Sequence, residues 1–79
     1  MVSPTTQISE LNYHIRKKQT EVDHLKQFLA RRKKSGLLTE ETEIDVRGQM
    51  DELDGEITEL QRKVRNLENQ EVRRSNMQV

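Results

Sequence analysis

The chain contains no cysteine, no tryptophan, one proline, three glycines and only two aromatic residues, Tyr13 and Phe28. Without thiols there is neither a disulfide framework nor a thiolate zinc site, so nothing covalent or metallic compensates for a small core. No apolar run approaches the ~18 residues of a membrane span. Met1-Val2-Ser3-Pro4 lacks the charged start and apolar stretch of a signal peptide, and no Asn-x-Ser/Thr sequon occurs. Net charge is also absent, since 14 Lys+Arg balance 14 Asp+Glu. These absences point to the cytoplasm, with the nucleus as the other compartment they leave open.

Length sets a second limit. The 79 residues make at most one domain, and so short a chain buries only about 60% of the surface it exposes when unfolded. A deep, water-excluding catalytic cleft is not expected. Leu, Ile, Val and Phe supply 19 of the 79 residues, above the roughly 20% below which highly charged chains stay disordered. The expected class is a folded, core-poor chain that needs a partner or a parent protein to complete its stability.

What is present is periodic. Ile8, Leu11, Ile15, Lys18, Val22, Leu25 and Leu29 follow one another at alternating spacings of three and four, with Lys18 the one polar member. Val46, Met50, Leu53, Ile57, Leu60, Val64 and Leu67 repeat the pattern without a polar member. Both runs are heptad seams, the a and d positions of coiled-coil helices. The expected layout is a frayed tail over residues 1–5, a helix over 6–34, a turn over 35–39, a helix over 40–74 and a frayed tail over 75–79.

The break has its own chemistry. Arg31-Arg32-Lys33-Lys34 suits a helix C-terminus, Gly36 suits the left-handed position after it, Thr39 is an N-cap, and Glu40 and Glu41 suit the first turn of the next helix. The expected fold is therefore all-α, a two-helix antiparallel coiled-coil hairpin. It has one competitor, a single long helix forming a parallel dimeric coiled coil, because the heptad count runs unbroken through Leu29, Gly36, Glu43 and Met50. In that alternative Arg32, Gly36, Thr39 and Glu43 would occupy successive seam slots, and Lys18 would face its own copy. In the hairpin every layer pairs an a residue with a d residue: Leu29 with Val46, Leu25 with Met50, Val22 with Leu53, Lys18 with Ile57, Ile15 with Leu60, Leu11 with Val64 and Ile8 with Leu67. Phe28, Leu37, Leu38 and Ile44 lie off the seam where the closed end of a hairpin would need a plug. Residues 1–36 carry net +5 and residues 37–79 net −5, so the two helices attract.

No constellation for catalysis appears. His14 and His24 are ten apart, on different faces of a helix, and no third metal ligand is near them. No glycine loop cradles a phosphate, no serine has a nucleophile context, and the carboxylates between Glu40 and Glu59 lie on a charged face where nothing raises a pKa. Gly48 and Gly55 fall one heptad apart at f, where close approach of another chain is conceivable but plain surface glycine is the simpler reading. Lys18 either fixes register as a lone polar seam residue or lays its stem over the seam and reaches toward Asp54 or Glu56.

The expected function is a non-enzymatic, cofactor-free protein-protein interaction module. It would act in homo-oligomerisation, for example by pairing hairpins into a four-helix bundle, in regulation of a larger parent protein, or in docking a partner such as another helix or a small GTPase. The alternative is an electropositive binder of nucleic acid or anionic lipid through Arg31, Arg32, Lys33 and Lys34. Zero net charge and the scarcity of stacking aromatics disfavour it. No small-molecule substrate is expected. Asn76-Met77-Gln78-Val79 has the alternation of a sheet-adding C-terminal peptide, with a plain chain end as the simpler reading.

Overall fold

A computed structural model describes residues 3–77, with side chains over 3–70. The chain is an all-α hairpin of two packed helices, α1 Pro4–Lys34 and α2 Glu40–Met77, forming a rod of 63 × 19 × 15 Å. The continuous-helix alternative is excluded, because the chain reverses direction between the two helices and Lys18 reaches Glu56 across the pair.

Both helix starts rest on hydroxyl caps. The Ser3 side chain accepts a hydrogen bond from the Thr6 amide at 3.2 Å, and Pro4 occupies the first helical position, where its missing N–H costs nothing. Thr39 Oγ1 accepts from the Thr42 amide at 3.1 Å, and the Glu43 amide donates to the Thr39 carbonyl at 3.0 Å. Glu40, Glu41 and Glu43 then lie against the positive end of the helix dipole.

The α1 exit is a Schellman motif. The Gly36 amide donates to the Lys33 carbonyl at 3.2 Å and the Leu37 amide to the Arg32 carbonyl at 2.9 Å. The Ser35 hydroxyl adds bonds to the Arg31 and Arg32 carbonyls. Gly36 has φ 73, a left-handed conformation that disfavours any side chain.

Two boundaries differ from the sequence expectation. The first helix begins at Pro4 rather than Thr6, because Ser3-Pro4 is itself a cap and first turn, so residues 4–5 are not tail. The second runs to Met77 rather than residue 74, since no glycine or proline follows Gly55 to interrupt it. Residues 1, 2, 78 and 79 of the expected tails lie outside the described residues.

The core is one layer thick. Ile15, Val22, Val46, Ile57 and Val64 are buried at 6–9% exposure, and the cluster of Ile15, Val22, Ile57 and Val64 packs against Ile8, Leu11, Met50, Leu53 and Leu60. Every seam residue, including Lys18, Leu25, Leu29 and Leu67, is buried or half-buried. Outside the seam only Pro4, Leu38, Thr42 and Glu43 are less than fully exposed among residues 3–70. The expected four-residue plug does not form. Leu38 alone is half-buried there, whereas Leu37 and Ile44 are 62% and 64% exposed and Phe28 is 36% exposed. Leu38 lines a groove at the turn with Leu29, Ala30 and Gly36, and Phe28, Leu37 and Ile44 lie outside it.

Ile57→Ala should lower stability by about 2–4 kcal/mol, while Ile44→Ala should change it by less than about 0.5 kcal/mol. Urea unfolding followed by circular dichroism measures both, and equal losses would contradict this core. The glycines separate in the same assay. A Cβ at Gly48 or Gly55 meets nothing within 4 Å, so Gly48→Ala and Gly55→Ala should each stabilise by about 0.5–1 kcal/mol. Gly36→Ala should instead cost about 1–2 kcal/mol through its positive φ.

Candidate interaction surface

The two long faces of the rod differ, and the difference begins with which residue types occupy a and d. Among the a positions the β-branched Ile15, Val22, Ile57 and Val64 are buried; among the d positions Leu11, Leu25, Leu53, Leu60 and Leu67 are half-buried. On a helix, d leans toward g and a toward e, and an antiparallel pair brings both g flanks to one side. The partly uncovered leucines therefore gather on the g face. Val46 is a buried d residue, and Ile8, Leu29 and Met50 are half-buried a residues, so the division is clearest in the middle and open end of the rod.

Surface grooves follow the same division. On the g face, Leu11 and Leu67 floor a shallow groove edged by Gln7, Glu10, His14, Lys63 and Asn66. On the opposite face the floor is Ile15 and Val64, both buried, under Asn12, Gln61, Arg65 and Glu68. At the open end one face thus exposes leucine and the other polar side chains, whereas at the turn the e face has its own groove, lined by Leu29 and Leu38 with Lys33, Glu43 and Arg47.

Lys18 sits at the middle of the seam and ends on the g face. Its ammonium donates to Glu56 Oε2 at 2.7 Å, with the two side chains 31% and 45% exposed. That hydrogen bond holds the Lys18 pKa above the ordinary lysine value; partial desolvation opposes it, and the charges of Glu56 and then Glu21 add to the rise. Of the two acids anticipated for it, Glu56 takes the role, because it neighbours Ile57, the residue opposite Lys18 in the layer.

The basic run occupies the last turn of α1 with all four side chains exposed. Arg32 places its guanidinium 5.1 Å from the Phe28 ring centroid, and Arg31, Arg32, Lys33 and Lys34 make no ion pair among the described residues. Directly across the turn stand Glu40, Glu41, Glu43 and Asp45, four carboxylates for four cations. Glu43 is engaged by Arg47 at 3.0 Å.

His14 lies in the leucine groove, and His24 lines separate shallow grooves with Tyr13 and with Phe28. Among the described residues no three His, Cys, Asp or Glu converge as metal ligands, no polar or charged side chain is buried, and no helix is long and apolar enough to cross a membrane. The sequence reading did not single out the g face or its flanking residues. The signal was present as leucine at d against β-branched residues at a, but it becomes a face only once the helices are antiparallel. No protein-family model, curated protein or solved structure matches this chain.

The bridge has a pH signature. A folded-state lysine pKa raised above the unfolded value of 10.5 contributes stability that is complete below that pH and is lost as pH climbs through the folded value. In an NMR titration Lys18 should deprotonate at higher pH in the unaltered chain than in Glu56→Gln. The same Lys18 titration in both chains would count against the bridge.

Proposed function

We propose that this chain is a non-enzymatic coiled-coil interaction module whose leucine-lined face completes a one-layer core on another helical surface. The observation that carries the reading is surplus surface. The hairpin exposes 6697 Å², against roughly 5,000 Å² for a compact monomer of this mass. Much of what a larger fold would cover is still in water, and the half-buried leucines are the apolar part of it. Each leucine returned to an apolar contact contributes in proportion to the area removed, at about 25 cal/mol per Å². The charged flanks then discriminate among partners, since mismatched charges penalise wrong pairings more than correct ones reward right pairings. Homo-oligomerisation, regulation within a longer protein, and docking of a helix or small GTPase are the roles such a module serves.

Binding of nucleic acid or anionic lipid by residues 31–34 has one supporting observation, the four exposed cations without ion pairs. The carboxylates across the turn weigh against it, because Glu40, Glu41 and Asp45 offset most of the charge of the four cations, Glu43 being paired with Arg47. Such binding would fall steeply with salt, which the leucine contact would not.

The test is positional. A photo-crosslinking amino acid placed at His14, on the leucine face, should yield protein adducts in cells. The same group at Gly48, on the outward f position, should yield few. Equal yields from both positions would remove the leucine face as the contact surface.

A further inference from the structure

We propose that the occupant of the leucine face is a second copy of this chain, stacked with the two-fold axis along the rod so that both turns lie at one end and α1 of each copy covers α2 of the other. This inference rests on the leucine face being an interaction surface and adds its partner, symmetry and register.

Area is the first argument. A face about 45 Å long, the length of a 31-residue helix, and 19 Å wide offers on the order of 850 Å². Stable complexes take about 800 Å² from each partner. The face is thus matched to a body of its own dimensions and is larger than a single docked helix would cover.

Charge chooses the symmetry. Two hairpins can stack on this face with a two-fold axis either across the rod or along it. An axis across the rod sets α1 on α1 and α2 on α2, with the two turns at opposite ends and the basic last turn of each α1 far from the other copy's acidic turn. An axis along the rod sets the basic last turn of each α1 over the acidic first turn of the other copy's α2, where most of the net charge of each helix lies. Neighbouring helices run antiparallel in both cases, so helix dipoles do not decide. Attraction between these turns does.

The same axis fixes the register, because rotation about it moves nothing along the rod. Lys18 occupies the fourth of seven seam layers and reaches the g face beside Glu56 and Glu21, as the cation of that layer. Lys18 of one copy then lies level with Glu56 of the other as well as its own Glu56, so the charged layers of the two copies coincide and every ammonium serves carboxylates of both. The remaining g positions are Gln7, His14, Gln49, Lys63 and Gln70, long polar side chains at the edge of the contact, and Phe28, whose exposed ring would gain cover from the second copy.

The experiment uses the full chain. Light scattering on a sizing column across a concentration series should give twice the 9.4 kDa chain mass. Phe28→Glu, on the contact face, should weaken the dimer at least tenfold with helicity retained, and Tyr13→Glu, on the outward face, should not. A spin label on Leu37→Cys, at the exposed turn, then reads the symmetry. Turns at one end place two labels within about 25 Å, a few helix diameters at most, whereas turns at opposite ends separate them by nearly the 63 Å rod length. A monomer at every concentration, a dimer with the long distance, or equal effects of the two glutamate variants would overturn the proposal. A monomer whose His14 crosslinker still captures a different protein would overturn the second copy as occupant while leaving the interaction-module reading intact.

Discussion

Each helix of this protein has one apolar stripe, and the whole structure follows from having only one. A stripe of a and d residues on each of two helices makes a single sheet of contacts with water on both sides. Among the described residues no side chain reaches complete burial, and the five best buried are all β-branched. The leucines around them are necessarily half out. The same openness lets Lys18 occupy the seam, since its stem packs along the contact while its ammonium reaches Glu56 at the rim. A thicker core would have no room for a lysine and no leucine left over for a partner.

The seam alone does not fold the chain back on itself; the capping chemistry at residues 35–39 does. Ser35, Gly36 and Thr39 satisfy the orphan carbonyls and amides at two helix ends within five residues. Continuing the helix through this segment would discard those bonds, keep glycine in a helix interior and line the seam with Arg32, Gly36, Thr39 and Glu43. The charges agree with the reversal, since the last turn of α1 is basic and the first turn of α2 acidic. Each set favours the dipole of its own helix end, and at the tip they neutralise one another.

Function in such a module lies in what remains uncovered. Shape by itself is shared by many unrelated helical hairpins. The informative features are those that break its symmetry: leucines half-exposed on the g face through the middle and open end of the rod, a basic last turn beside an acidic first turn, and a charged seam layer at the midpoint.

By itself the sequence determined which residues form the apolar stripes and where the stop-and-restart cues between them lie, because these depend on local spacing and on caps a few residues long. The entry at Pro4 was also written locally, in Ser3-Pro4, although heptad spacing does not extend that far. Tertiary structure decided the rest. An unbroken heptad register is equally compatible with folding back or running on, so direction depended on which way the chain leaves Gly36. That direction then decided that Lys18 meets Glu56, that both g flanks share a face, and that Leu37 and Ile44 stay in water while Leu38 turns inward. Each of these is a relation between residues far apart in the chain, and a periodic pattern assigns positions around a helix axis without saying what stands across from them.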